Sequence, residues 1–327
     1  MIADVVVGLQ HGDEGKGKVT HQLASSGEYT HVLRFNGGCN AGHTIYHLGK
    51  KFVTHHIPAG VFYGVKSIIG PGCVINIEKL FKEIKGLESE GINVRDYLYV
   101  AGNAHVITAE HMAEDAQDTK IGTTKSGNGP AYRDKYSRVG LRAENCPELA
   151  PFIVDLYSEL HKDHSVVVLC EGAQGFGLDI DWGDYPYVTS SHCTVGGAVS
   201  CGIPHNAIRN VWGVAKAYET YVGAKKFESS DPIFSKIRDV GSEYGATTGR
   251  PRQVNWLNIE DLKKSVDING VTQIVFNKCD ILDSVKCWKV ITTNGLINFK
   301  NATELESYLK GYLHGADIIF SRSPNKI

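Results

Sequence analysis

Val5-Val6-Val7-Gly8-Leu9-Gln10-His11-Gly12-Asp13-Glu14-Gly15-Lys16-Gly17-Lys18-Val19 opens as a β-branched apolar run, breaks at a glycine-rich turn and resumes with helical character. Strand, turn and helix start is the arrangement in which backbone N–H groups and the helix dipole converge on an anion. From Gly12 to Lys18 the spacing is that of a phosphate loop, G-x-x-x-x-G-K. Val19, however, stands where such a loop carries the Ser or Thr that holds magnesium. Asp13, a carboxylate inside the turn, is the obvious substitute, because magnesium is a hard cation that prefers oxygen. The helix is expected over Val19 to Ser25, stopping near Gly27.

Working outward, strand-like runs recur at Val5 to Gly8, His31 to Phe35, Tyr97 to Ala101, Val166 to Cys170, Val211 to Ala215, Ile274 to Asn277 and Ile318 to Ser321. Helical periodicity is best at Ile77 to Glu90, Pro147 to His161, Ile259 to Val266 and Thr303 to Leu313. This alternation predicts an α/β fold: a largely parallel central sheet flanked by helices, with a P-loop-like nucleotide site. His43 to His47 and Lys51 to His55, joined by Leu48-Gly49-Lys50, read as a hairpin inserted into that plan. No linker, repeat or low-complexity tract interrupts the chain, so residues 1–327 are expected to form a single domain with loop insertions.

Composition narrows the function. The 327 residues are 42% hydrophobic and 21% charged, with 34 Lys+Arg against 36 Asp+Glu and a formal charge of −2. No basic excess exists to drive phosphate-backbone binding, so a nucleic-acid partner is not expected. No apolar run reaches the roughly 18 residues that span a bilayer, and no basic leader precedes the first strand, so no membrane association is expected. The eight cysteines contain no C-x-x-C pair, which suits free thiols in a reducing compartment, with cytoplasm as the default.

A second glycine cluster follows the second strand: Asn36-Gly37-Gly38-Cys39-Asn40-Ala41-Gly42-His43-Thr44. Among the 14 histidines His43 stands out. Its glycine setting lets backbone approach a ligand, and α/β sheets bind ligands beyond the carboxyl ends of their strands.

With these two segments in hand, the sequence resembles adenylosuccinate synthetase. Further motifs of that family follow in order: Ile121 to Thr124 with Gly129-Pro130-Ala131-Tyr132, Glu171-Gly172-Ala173-Gln174-Gly175, Tyr185 to Ser191, and Gly245-Ala246-Thr247-Thr248-Gly249-Arg250. Taken singly, such Thr and Gly residues are common turn formers and such arginines are usually solvated; only the ordered set carries weight. The resemblance implies a ligase in which a nucleoside triphosphate phosphorylates O6 of a 6-oxopurine monophosphate and the amino group of L-aspartate then displaces the phosphate. It implies that Asp13 is the base that removes the N1 proton and also a Mg2+ ligand with the Gly42 carbonyl, and that His43 stabilises the transferring phosphoryl group. Gly12, Glu14, Gly15, Lys16, Gly17, Lys18 and Thr44 would hold the donor, with Lys16 and Lys18 supplying charge to its phosphates. Asn40, Thr123, Thr124, Gln174, Thr189 and Arg250 would hold the acceptor, with Arg138 reaching it from the second subunit of a homodimer. Ala246, Thr247, Thr248, Gly249, Arg250 and Arg252 would close on aspartate.

The chain also departs from the family. It is short, like the compact archaeal and viral members, Ser126 replaces an arginine, and the aspartate stretch reads Arg250-Pro251-Arg252-Gln253, so fewer fixed cations are expected around the site. Asn277-Lys278-Cys279-Asp280 resembles a guanine-reading N-K-x-D. Its usual partner Ser-x-Gly-Pro reads Ser321-Arg322-Ser323-Pro324, with a serine in place of the glycine. Lys278, Asp280, Ser321 and Ser323 are therefore the expected donor-base residues. The pattern resembles the phage branch, the 2-aminoadenylosuccinate synthetases that act on dGMP with ATP, in which case the compartment is the host cytoplasm. IMP with GTP is the alternative pair, and a P-loop-like nucleotide switch protein is a second alternative from outside the enzymes.

Overall fold

The first strand sits in the middle of the sheet, and that placement creates the site. The computed structural model describes residues 1–245 and 249–327. Nine parallel strands form the central sheet, in the order Asp317–Phe320, Gln273–Asn277, Ile208–Lys216, Ile2–Gly8, Val167–Glu171, His31–Arg34, Lys66–Ile69, Leu98–Ala101, Ile153–Val154. Chain order reverses on either side of Ile2–Gly8, so the loops leaving that strand and its neighbours diverge at their carboxyl ends and open a crevice. Val5, Val7, Val168 and Phe276 on one face of the sheet and Val6, Val19, Val32 and Leu169 on the other are sealed in separate apolar clusters. Burial on both faces explains why these strands read as unbroken apolar runs rather than alternating ones.

Each predicted strand is present, shifted by a few residues at its ends. The helix after the first turn spans Lys16–Ala24, three residues earlier than expected, because Gly15 caps it with φ 96°. Gly17 therefore lies in the first helical turn, where a Cβ would stand 2.7 Å from that of His43. The hairpin pairs His43–His47 with Lys50–Thr54 around a two-residue turn, Leu48 and Gly49 at φ 47° and 79°. Two successive positive φ values match the right-handed twist of paired strands and move the second strand one residue earlier than Lys51–His55.

The helix expected over Pro147 to His161 is not formed. Instead Pro147–Phe152 is a 3-10 turn, Ile153–Val154 adds the ninth strand, and a short helix Leu156–Leu160 starts at Asp155, whose carboxylate accepts from the Ser158 N–H. Pro151 breaks the periodic pattern that the apolar spacing suggested. A four-stranded sheet, Tyr218–Tyr221, Gln253–Asn258, Trp288–Thr292 and Gly295–Phe299, packs beside the crevice and was not foreseen. Among the described residues no helix is long and apolar enough to cross a membrane.

Candidate functional site

Three side-chain amides fasten the crevice loops to the sheet. Gln10 donates to the carbonyls of Lys216 and Tyr218 and accepts from the Lys216 N–H. Asn36 exchanges hydrogen bonds with the Ala173 backbone at 2.7 and 3.1 Å. Asn277 Nδ2 donates to the Glu14 carbonyl at 2.7 Å, against Gly15, where a Cβ would collide with it. Loops held this way keep little freedom, so groups mounted on them are placed before any ligand arrives.

The crevice is a cavity of about 710 Å³. Gly12, Asp13, Lys16, Asn40, Gly42, His43, Thr123, Thr124, Gln174, Thr189 and Arg250, widely separated in the chain, all line it. Asp13, at φ 60°, is partly exposed, and its Oδ2 lies 2.7 Å from Arg252 Nε. Lys16 is buried, its ammonium 2.6 Å from Glu14 Oε2 and also donating to the Gln174 carbonyl. Gln174 Nε2 donates to Asn40 Oδ1 at 3.2 Å.

His43 is held from behind. Its Nδ1 lies 2.7 Å from Glu171 Oε1, and the same oxygen accepts from Arg34 Nη1 at 2.8 Å while Oε2 accepts from the Ala59 N–H at 2.9 Å. Burial alone would raise the Glu171 carboxyl, but His43, the Arg34 guanidinium and the Ala59 amide together hold it at about 2. A carboxylate can only accept, so Nδ1 carries the hydrogen and Nε2 is the nitrogen left for the cavity. Burial, and then the adjacent Arg34, hold the His43 pKa at about 4, so the imidazole of the free protein is neutral at pH 7.

His56 is depressed to about 3 by burial and by the same arginine. Both histidines titrate near 6.5 when unfolded, so below that pH the unfolded chain takes up protons that the folded one refuses. Stability is therefore complete above about pH 6.5 and is lost as pH falls toward 4 and 3, at about 1.4 kcal/mol per pH unit for each histidine. Urea unfolding at pH 7 and pH 5 checks this. His21 and His105 are depressed to about 4 as well, so the His56→Gln variant should lose about a quarter of the slope, and a flat profile would contradict the assignment.

Several of the expected residues lie away from the large cavity or have partners within the protein. Glu14 turns inward, accepting from the N–H groups of Gln10 and Gly12, and shapes the turn rather than facing a ligand. The Lys18 ammonium does not face the phosphate turn; it donates to Ser321 Oγ, the Ser323 carbonyl and the Lys326 carbonyl. Lys278 donates to the Gly241 carbonyl, and neither it nor Asp280, Ser321 or Ser323 lines the large cavity. Thr44 pairs with Val53 inside the hairpin, away from the cavity. Arg252 bridges Asp13 and the buried Glu243, and Gly249, at φ 65°, is not part of the lining. Arg138 caps the helix Asn128–Ser137 on the surface and does not reach its own chain's cavity. Ala246, Thr247 and Thr248 lie outside the described residues. Ser126 is buried and its hydroxyl lies 3.4 Å from Lys79 Nζ; neither residue lines the cavity.

Arg34, Gln10, Glu243 and Lys79 escaped the sequence reading, and Glu171 entered it only as part of a motif, without a role. Its one local signal is a carboxylate ending an apolar run.

Comparison with known proteins agrees with this geometry. The adenylosuccinate synthetase family model matches residues 5–149 and 143–307. The adenylosuccinate synthetase of Deinococcus radiodurans is 40% identical over 328 residues, 85% of this chain and 80% of its own. That of Lysinibacillus sphaericus is 37% identical over 361 residues, 94% of this chain and 83% of its own. Among solved structures, fully ligated adenylosuccinate synthetase from Plasmodium falciparum superposes with a TM-score of 0.87 at 30% identity, covering 98% of this chain and 97% of that one. The succinoaminodeoxyadenylate synthetase of cyanophage S-2L shares the fold, with a TM-score of 0.78 at 23% identity over 99% of this chain and 93% of that one. With its phosphate turn and second glycine loop converging at the sheet's point of reversal, and with matches along most of its length, the chain belongs to the adenylosuccinate synthetase family of carbon–nitrogen ligases.

Proposed function

We propose that this chain, acting as one domain over residues 1–327, joins L-aspartate to C6 of a 6-oxopurine nucleoside monophosphate, with IMP as acceptor and GTP as donor. The observation that carries the reading is the meeting of Asp13 and His43, from two separate glycine turns, on one cavity of nucleotide size. An Asp13 oxygen takes the N1 proton, O6 becomes nucleophilic and attacks the terminal phosphorus of the donor, whose bond to the bridging oxygen breaks as GDP leaves. The aspartate nitrogen then adds at C6, and phosphate departs with O6. His43 is neutral in the free protein; bound phosphate anions raise its pKa and make Nε2 a donor to the transferring group. Asp13 already accommodates a guanidinium, and Gly42 lines the same cavity, so these oxygens fit Mg2+, which would neutralise triphosphate charge there.

Two points support IMP with GTP over the pair favoured by sequence resemblance. The relatives at 37 and 40% identity are adenylosuccinate synthetases, and Asp280 opens the helix Cys279–Val285, where a carboxylate suits guanine N1–H and N2. Ser323 in the glycine position supports the second reading, dGMP with ATP; the cyanophage enzyme of the same fold is bound to dGMP and dATP. Phosphate release in the presence of aspartate and magnesium, measured for each acceptor and donor pair, separates them. A tenfold advantage for either pair retires the other, and hydrolysis indifferent to aspartate retires both in favour of a nucleotide switch.

The surface position of Arg138 suits service to a partner subunit. Arg138→Leu is expected to weaken monophosphate binding, and mixing it with Asp13→Asn should restore activity through hybrid sites. No recovery on mixing would argue against a shared arginine.

A further inference from the structure

Lys18 is the third residue of the helix Lys16–Ala24, and its side chain leaves the phosphate turn altogether. Its three ammonium hydrogens have three acceptors: Ser321 Oγ at 2.8 Å, the Ser323 carbonyl at 2.9 Å and the Lys326 carbonyl at 3.2 Å. That is the full donor capacity of a lysine. Ser321 Oγ is 2.6 Å from the Lys326 carbonyl, and the Ile327 N–H donates to Gln22 Oε1 one helical turn further on, so residues 321–327 wrap along one face of this helix.

The same wrap is anchored on its other side. The Ser321 N–H donates to the Phe276 carbonyl, and the Ser321 carbonyl accepts from the Cys279 N–H, one residue before Asp280. Lys18 thus ties together the two segments that the base of a donor nucleotide would have to touch: the turn after Phe320 and the start of the helix Cys279–Val285. Asp280 lies in the first turn of that helix, next to Cys279, so the backbone that carries its carboxylate is fastened directly to the turn that Lys18 holds.

We propose that Lys18 is a positioning residue for the donor purine, holding the 321–326 turn against Asp280 so that the base edge of the triphosphate has a preformed slot. The assignment builds on the ligase reading, because it presumes that a purine triphosphate is the donor. Three neutral acceptors fix the ammonium in place of water, and a base that enters need not spend binding energy ordering the turn. Replacing Lys18 then loosens the slot without touching the phosphoryl-transfer groups on the cavity.

Kinetics of Lys18→Met against the unaltered protein test this, with GTP and ATP each varied at saturating acceptor and aspartate. KM for the preferred donor is expected to rise at least tenfold and kcat to fall less than threefold, with KM for acceptor and aspartate within twofold. Lys18→Arg, which keeps charge and donors, should recover part of the loss. Ser321→Ala removes one acceptor and should raise donor KM in the same direction by a smaller factor, with thermal melting confirming that each variant is folded.

A pH signature accompanies the kinetics. Burial lowers the Lys18 pKa to about 8 against the pull of Asp280 and Cys279, with Lys278 opposing them. Donor KM of the unaltered protein should therefore climb as pH passes through about 8, and this climb should be absent in Lys18→Met. Unchanged donor KM in Lys18→Met overturns the proposal, as does a loss confined to kcat, which would make Lys18 a phosphoryl-transfer group. Failure of the unaltered protein to release phosphate with any donor in the presence of aspartate would sink the ligase reading instead. Direct titration with GTP and ATP alone then still reads the effect of Lys18 on donor binding.

Discussion

Replacing Asp13 by Asn should lower kcat by at least about 10²-fold, the scale of losing a general base, while leaving the protein folded. Asparagine tolerates the left-handed conformation at position 13, where φ is 60°, so the turn should survive. What disappears is the oxygen that can accept a proton. The side-chain amide would still face Arg252, and that guanidinium keeps Glu243 at 2.5 Å as a second partner, so the stability loss should be modest. Steady-state kinetics with aspartate, acceptor and donor saturating, alongside urea unfolding, separate the two effects. A variant that turns over at near-normal rate would remove Asp13 from the base role and with it the chemistry proposed for the cavity.

The second large effect is expected at Glu171, behind the cavity. Its carboxylate is fully buried and answers three donors: Arg34 Nη1, His43 Nδ1 and the Ala59 N–H. Glu171→Gln keeps the shape but cancels the charge, leaving Arg34, itself 2% exposed, as a buried cation without a counter-ion. Breaking a buried pair from one side costs about 3–5 kcal/mol, a large share of a typical folding free energy. Urea unfolding should show a loss of that order. Turnover should fall as well, because His43 loses the anion that holds its ring. Since an uncompensated Arg34 causes the loss, the double variant Arg34→Met with Glu171→Gln should be more stable than Glu171→Gln alone. Equal or lower stability of the double variant would mean that the carboxylate matters through its hydrogen bonds and not through the arginine.

These two sites differ in how far the linear chain announces them. Asp13 lies inside a turn whose glycine spacing is local, and Gly15, at φ 96° against Asn277, is a position where only glycine fits. Glu171 heads the motif Glu171 to Gly175 at the end of an apolar strand, but nothing nearby in sequence says which groups it pairs with. Its partners Arg34 and His43 are 137 and 128 residues away. Lys18 shows the same limit in reverse. Its place in the glycine motif suggests a phosphate contact, yet the acceptors that claim its ammonium lie more than 300 residues further along the chain.

Helix prediction failed for a related reason. Over Pro147 to His161 the apolar spacing is that of a helix, but Pro151 breaks the ladder, and the open edge of Leu98–Ala101 offers Ile153–Val154 strand pairing. The approach of Lys79, on the helix Ile77–Ser89, to Ser126 was equally illegible, because 47 residues separate the two and only folding brings them together.

By itself the sequence determined the α/β alternation, the hairpin and the two glycine turns that carry Asp13 and His43. Each of these depends on residues within one turn or one strand, where steric limits on φ and hydrophobic periodicity act locally. Only the tertiary structure decided which strands are neighbours, that Ile2–Gly8 lies at the point of reversal, and which charged groups Arg34, Glu171, Arg252 and Lys18 actually meet. Those outcomes depend on burial and on electrostatic pairing between distant segments. Inside a dry interior a buried charge must find a partner, and the partner is chosen by the packing of the whole sheet rather than by anything adjacent in the chain.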